Sequence, residues 1–284
     1  MSQIRISGFA DEISADFEKQ LEVLGRLGFS YMEIRGVNGK GIDTYEASQV
    51  KEIKQRLDVA GIEISSLASP IGKIEIGQDF EGHYEHFKHV VELAHILEAP
   101  YIRMFSFFMP PNQDSQLYEG EVLERLGKMV SYDELGKIQL LHENEKDIFG
   151  DTADRCLRIM QAFEGKGLKM AFDFANFVQC GQDTREAFEL LGSYVAYVHI
   201  KDAVARTKMI VPAGQGDGQI APILKALKEQ GYDGFLSLEP HLTEFEGLKG
   251  LEREGASLKG MRQMDGEEAF ETAYRALMDI LGKI

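Results

Sequence analysis

The chain has 284 residues, 44% hydrophobic and 27% charged, an ordinary globular composition that excludes a disordered, collagen-like or disulfide-scaffolded protein. Its net charge of −16 repels phosphate backbones, so nucleic acid is not an expected partner. The length fits one α/β barrel, which usually takes about 250 residues, and a single domain over residues 1–284 is expected. Cys156 and Cys180 are the only cysteines and carry no CxxC or Cys/His spacing, so neither a disulfide framework nor a structural zinc site is written here. The opening MSQIRISGFADEI has no basic lead or long apolar run, and nowhere do 18 apolar residues follow one another. A soluble, cytoplasmic protein with no membrane partner is expected.

In chain order, β-rich runs occur at Ile4–Phe9, Tyr31–Arg35, Glu63–Ala68, Tyr101–Phe107, Gln139–Glu143, Lys169–Phe174, Ala196–Lys201 and Gly234–Glu239, and each predicts a strand. Between them apolar residues take helical spacing, as at Val50, Ile53, Leu57 and Ala60, or Phe80, Tyr84, Phe87, Val91 and Ala94. Gly28, Gly61, Gly136, Gly167, Gly192 and Gly231 follow helical stretches and read as left-handed stops, while Pro100 forbids helix at Ala99. Eight strand–helix units predict an α/β fold of the (β/α)8 TIM-barrel type. An open doubly wound sheet would need a glycine-rich first turn, and no GxGxxG opens a helix. The irregular stretch Leu242–Gln263 reads as a surface loop or a flap over the barrel mouth. After it, Ala269, Phe270, Ala273, Leu277 and Ile280 mark a closing helix.

Barrels carry function at the C-terminal ends of their strands. Four of these runs end in titratable residues: LLHENE with Glu143, MAFDFAN with Asp173, YVHIKD with His199 and LSLEPH with Glu239. On adjacent strands their side chains would converge. Three carboxylates and an imidazole buried together could not stay ionised without a compensating cation. One divalent metal ion resolves the conflict. This fairly hard donor set favours Mn²⁺, or Mg²⁺, and tolerates Co²⁺ or Zn²⁺, with positions left for two substrate oxygens.

The segments ENEKDIFGDT, FDFANF, HIKDA, PAGQGDG and LEPHL, with GFADEIS and YMEIRG, together resemble the sugar phosphate isomerase/epimerase group of the xylose isomerase-like TIM barrels, in the AP endonuclease family 2 superfamily. The resemblance spans nearly the whole chain. It implies that Glu143, Asp173, His199 and Glu239 bind one divalent metal and that Glu143 and Glu239 are the acid–base catalysts. A carboxylate that gives the metal one oxygen keeps the other for a proton, while the metal acidifies the C–H beside a substrate carbonyl. With the two glutamates on opposite faces of an enediolate, the proton's return from the other face is epimerisation. Its return to the neighbouring carbon is isomerisation, and loss of a hydroxyl is dehydration. The expected partner is therefore a small ketose or keto-polyol. The sequence leaves assembly into a homo-oligomer open.

Further candidates surround the four. Lys201 and Tyr197 share inward parity with His199, which makes Lys201 a substrate-binding candidate. Asn176 stands three after Asp173, where several epimerases of the group carry histidine, His241 shares parity with Glu239, and Arg206 follows HIKD at a distance where sugar epimerases often carry a substrate-binding arginine. Glu33 and Arg35 close the second strand with common parity and are candidates to support the site. His142 should point to the helix layer as a core histidine. His83, His86 and His89 recur every three residues, which turns about 300° per step, and read as a solvated face. Gly214, Gly216 and Gly218 form a turn whose amides could receive a substrate anion.

Two rival functions remain. A zinc-cluster endonuclease needs more histidines, yet the chain has Ser69 and Phe105 near its third and fourth strand ends and no histidine two residues after Asp217. A barrel that binds a sugar without turning it over would not require two opposed bases.

Overall fold

Each of the eight predicted runs becomes a strand of one parallel sheet: β1 (Arg5–Gly8), β2 (Tyr31–Ile34), β3 (Glu63–Ala68), β4 (Tyr101–Met104), β5 (Gln139–Glu143), β6 (Leu168–Asp173), β7 (Val195–Ile200) and β8 (Phe235–Leu238). The structure is a computed structural model that describes residues 4–243 and 264–284. The ladders run in the order β1-β8-β7-β6-β5-β4-β3-β2. Beside the seam between β1 and β2, hydroxyls cross-link the ends of the sheet: Ser7 Oγ lies 2.6 Å from Ser65 Oγ, which in turn donates to Met32 O at 3.1 Å. The strands thus close a (β/α)8 barrel.

Around it lie α1 (Phe17–Leu27), α2 (Ala47–Ala60), α3 (Phe80–Ile96), α4 (Glu119–Val130), α5 (Ala153–Ala162), α6 (Phe174–Gln179), α7 (Thr184–Leu191), α8 (Ile220–Glu229) and α9 (Gly266–Leu281). Side chains start several of them, with Asp16, Asp79, Thr152, Asp183 and Asp265 accepting from first-turn amides. Gly28 and Gly61 end α1 and α2 at φ of 77° and 69°. Gly192 departs from the expected stop: at φ −53° it carries α7 into a tighter turn, Gly192–Tyr194. The five apolar positions expected to mark the closing helix are all buried on α9. Of the stretch read as a loop or flap, only Leu242 and Thr243 are described, and residues 244–263 lie outside the described residues. No helix among the described residues is long and apolar enough to cross a membrane.

Inside the barrel the two-residue pleat sorts the side chains into layers. Leu141, Ala171, Tyr197 and Phe235 form a buried apolar cluster, joined by Tyr31 and Tyr101. Two residues further along the same strands stand Glu143, Asp173, His199, Ser237, Glu33 and Arg103, every one of them buried. The lower layer is a plug. The upper layer is the floor of a polar mouth.

The loop after β3 is pinned against this mouth. Gly72 has φ +87°, and a Cβ there would lie 2.1 Å from Phe105 O, so only glycine fits. Its amide donates to His83 Nε2 at 2.8 Å. His86 meets Asp43 at 3.1 Å, and His89 Nε2 lies 2.9 Å from Tyr45 O. The stripe expected to be solvated therefore fastens the loops after β2 and β3 onto α3, because those loops fold down over the helix. Burial lowers the His83 pKa to about 4, with His86 and Arg125 adding to the effect. A neutral His83 accepts from Gly72 and a protonated one does not, so its contribution to stability is complete above the unfolded value of about 6.5. It is lost as pH falls towards 4. Chemical denaturation from pH 7.5 to 4.5 should show the stability gap between wild type and His83→Ala narrowing below pH 6.5; a gap of constant size would refute the acceptor role.

Candidate active site

β5, β6 and β7 carry Glu143, Asp173 and His199 to one point, and Glu239 joins them directly after β8. One potential ligand atom from each lies within 4.8 Å of the others, and all four residues are buried. His199 Nδ1 is 3.1 Å from Glu143 Oε1, 3.7 Å from Glu239 Oε2 and 3.9 Å from Asp173 Oδ2. The other ring nitrogen faces Glu33 Oε1 at 3.3 Å, which fixes the ring's orientation. Below and beside it, the rings of Tyr197 and Phe9 pack edge-on at 5.7 and 5.3 Å.

Each glutamate shares its second oxygen with an arginine. Glu143 Oε2 lies 3.2 Å from Arg103 Nε, and Glu239 Oε1 lies 3.1 Å from Arg35 Nη1. Lys201 Nζ contacts Glu239 Oε2 at 2.8 Å and Asp173 Oδ2 at 3.1 Å. Asn176 donates to Glu143 Oε1 at 3.2 Å, and its own amide donates to Asp173 Oδ1 at 2.7 Å as α6 begins. Asn144 clamps the strand end from the other side, donating to Asp173 O and accepting from its amide, both at 2.9 Å. Strand end and helix cap are thus the same residue.

Burial, reinforced by Glu239 and Glu143 and opposed by Lys201, pushes the Asp173 carboxyl up to about 7. Burial would also raise Glu239, but Lys201, His241, His199 and Arg35 together hold it well below the usual carboxylate range. For His199 burial disfavours the imidazolium, yet Glu143 and Glu33 outweigh it and keep the ring well above its ordinary value. Three carboxylates crowd around one imidazole and one ammonium here. Asp173 Oδ2 and His199 Nδ1 are buried without a hydrogen bond of good geometry, and both look into it. Three carboxylate oxygens and the imidazole nitrogen, two of these four residues offering an atom without a good hydrogen bond, fit a divalent cation, so the cluster could hold a metal ion.

Of the sequence candidates, Lys201, Asn176 and His241 all line the cleft above the cluster. His241 has φ 45°, and its Nε2 is 3.4 Å from both Glu12 Oε1 and Glu239 Oε1. Arg206 lies elsewhere, exposed on the turn between the short paired segments Asp202–Ala203 and Ile210–Val211. His142 is buried with Nε2 2.9 Å from Ser106 Oγ, and burial lowers its pKa to about 3. The glycine-rich turn needs a correction. Its amides already hold an anion of the protein itself: Asp202 Oδ2 accepts from Gly214 and Gly216 at 2.9 and 3.0 Å, and Oδ1 from Gly218 and Ala203 at 2.9 Å each.

Several members of the site were not singled out from the sequence. Arg103 had a signal, being a charged residue at inward parity inside an apolar run. Asp11 and Glu12 sit in a short turn after β1, where they meet Arg35 at 2.8 and 3.0 Å. Lys73, 3.2 Å from Glu145, comes from the loop after β3. Loop residues carry no periodicity, so nothing local placed them.

The profile of the xylose isomerase-like TIM barrel family matches residues 21–265. The chain belongs to that family. Its fold is close to several solved structures. A probable 3-DHS dehydratase AsbF involved in petrobactin synthesis, from Bacillus anthracis, superposes with a TM-score of 0.74 at 17% identity, covering 97% of this chain and 99% of that one. A D-allulose 3-epimerase from Methylomonas sp. in complex with D-allulose gives 0.73 at 15% identity, over 100% and 98%. The IOLI protein with a bound zinc atom gives 0.70 at 19% identity, over 99% of each chain. Among curated relatives, an uncharacterised protein of Methanocaldococcus jannaschii is 28% identical over 98 residues, 34% of this chain, so the match spans about a third of its relative's length (33%).

The Asp202 arrangement yields a stability test. Asp202→Ala leaves four backbone amides without their acceptor, and each buried orphan costs about 1–3 kcal/mol. Allowing water to reach some of them, urea unfolding should report a loss on the order of 3 kcal/mol, and a wild-type midpoint would show that these amides never depended on the carboxylate.

Proposed function

We propose that the protein is a divalent-metal-dependent isomerase or epimerase acting on a small ketose or related keto-polyol. Glu143, Asp173, His199 and Glu239 are its ligands, and Glu143 and Glu239 its proton-transfer groups. The observation that carries this reading is the convergence of one ligand atom each from Glu143, Asp173, His199 and Glu239 within 4.8 Å, with Asp173 Oδ2 and His199 Nδ1 lacking a hydrogen bond of good geometry among the described residues. The hard donor set favours Mn²⁺ over Mg²⁺, Co²⁺ or Zn²⁺. When bound, such an ion polarises a substrate carbonyl and its neighbouring hydroxyl and acidifies the C–H between them.

The residues of the chain divide the remaining work. Glu239, held in its ionised form by Lys201 and Arg35, enters the reaction as the proton acceptor. Glu143 stands across the cluster, oriented by Arg103 and Asn176, to return a proton to the other face or to the neighbouring carbon. Lys201 holds a substrate oxygen, since its ammonium is already at the cluster's edge. His199 is kept in place by Glu33. Dehydration would begin with the same proton removal and differ in the loss of a hydroxyl.

Two measurements test the proposal. Mn²⁺ should raise the melting temperature and a chelator lower it, because binding to the folded state alone stabilises by RT ln(1 + [L]/Kd). A melting curve indifferent to both removes the metal site. Incubated with an accepted ketose in D₂O, the enzyme should place deuterium on the carbon beside the carbonyl. Glu143→Gln and Glu239→Gln should each lower turnover by about 10²- to 10⁴-fold with metal still bound. Undiminished turnover in both variants rules out the glutamate pair, and turnover without solvent deuterium points to hydride shift or to return of a proton shielded from solvent.

A further inference from the structure

Arg103 stands at the boundary of two cavities. One is the cleft over the cluster, bordered by Glu143, Lys201 and Glu239. The other is a pocket of about 250 Å³ enclosed by the segments that follow β1, β2 and β3, and Arg103 and Lys73 line both. The Arg103 side chain is 2% exposed, and its guanidinium sits 4.6 Å from the Phe105 ring centre.

Its hydrogen bonding is incomplete. A guanidinium carries five N–H donors in a rigid fork, yet among the described residues Arg103 makes one side-chain hydrogen bond, from Nη1 to Ser69 O at 3.1 Å. Nε approaches Glu143 Oε2 at 3.2 Å but has no hydrogen bond. Arg35, also buried, is met by the carboxylates of Asp11, Glu12 and Glu239. Nη2 has no hydrogen-bond partner among the described residues and is not sealed from solvent, so the fork keeps donors for an acceptor from outside the chain. The surrounding charge has the matching sign. Arg35, Lys40, Lys73 and Arg103 line the 250 Å³ pocket against Asp11 and Asp43, in a chain whose net charge is −16.

We propose that Arg103 is the receptor for an anionic group on the substrate, a carboxylate or a phosphate monoester, so that the substrates are acidic keto-polyols rather than neutral ketoses. This rests on the keto-polyol reading of the neighbouring cluster. Two parallel N–H groups of the fork match two oxygens of either anion, which a point-charge ammonium cannot reproduce. Lys73, held 4.4 Å over the Phe105 ring, adds a second cation beside the same pocket. A neutral sugar's hydroxyls accept from these donors one at a time but bring no charge to match the fork.

The test uses D-fructose, D-fructuronate and D-fructose 6-phosphate, which share a six-carbon skeleton and differ in the group at the far end. Calorimetry on the Mn²⁺-loaded protein should find at least one charged probe bound about tenfold or more tightly than fructose. Which one binds more tightly separates carboxylate from phosphate. Arg103→Lys keeps a positive charge beside Glu143 but loses the fork. It should bring the charged probe within about threefold of fructose, read as the ratio of the two affinities in the same variant. A role limited to bracing Glu143 would instead weaken all three probes alike. The proposal is overturned by that uniform loss, by wild-type fructose binding as tightly as both charged probes, or by no binding of either charged probe. Should Arg103→Lys fail to fold, the wild-type preference alone decides. Because these readouts are affinities, a charge preference without deuterium exchange overturns only the isomerase reading, and exchange on fructose without a preference overturns only the anion receptor.

Discussion

Burying several carboxylates in one barrel mouth is the constraint on which the rest of this structure depends. Glu12, Glu33, Glu143, Asp173 and Glu239 are all nearly inaccessible to water, and an ionised carboxylate in such surroundings is untenable alone. The fold answers with cations from separate strand ends: Arg35 after β2, Arg103 on β4, His199 on β7 and Lys201 after β7. Each touches at least one carboxylate from another strand, so the ion pairs tie the mouth together around its circumference. Removing one partner would leave the other charged and buried, which is why barrel closure and site electrostatics stand or fall together. The compensation is uneven. It leaves Asp173 Oδ2 and His199 Nδ1 without a hydrogen bond of good geometry on one side and Arg103 underused on the other, and these residues are where the proposed cation and anion from outside would complete the balance.

Precision comes from the layer below. Tyr197 carries His199 two residues ahead of it, and its hydroxyl is fixed 2.8 Å from Ser65 Oγ across the barrel. Leu141 and Ala171 do the same beneath Glu143 and Asp173. Side chains set on rigid strands over a packed plug keep their geometry better than side chains on loops. The loops then contribute what the strands cannot, including Asp11, Glu12, Lys73 and the Asp202 nest that secures the turn after β7.

Much of this was legible in the chain. Strand and helix periods are local properties, so all eight strands lie within a residue or a few of their expected bounds, as at Glu63–Ala68 and Gln139–Glu143. The convergence of Glu143, Asp173, His199 and Glu239 was readable because each is a titratable residue at the end of an apolar run, and the barrel rule gives such ends a common destination. Reading failed where the partner was distant. The amides of Gly214, Gly216 and Gly218 were free to any anion in the sequence, whereas folding gives them to Asp202. The histidines of α3 looked solvated because the loops that meet them, one from the preceding unit and one folded back from the same unit, carry no periodicity.

The sequence by itself determined the alternation of strands and helices, the inward parity of the site residues and the excess of carboxylates, since all three follow from residue type and spacing along the chain. Only the tertiary structure decided which cation neutralises which carboxylate and which donors are left over. Arg35 and Arg103 are the same residue type near the ends of two parallel strands on either side of β3, and nothing local distinguishes them. One is saturated by the turn after β1 and the other is not, because pairing energies in a low-dielectric interior depend on separations of a few ångströms between segments that the chain order leaves far apart.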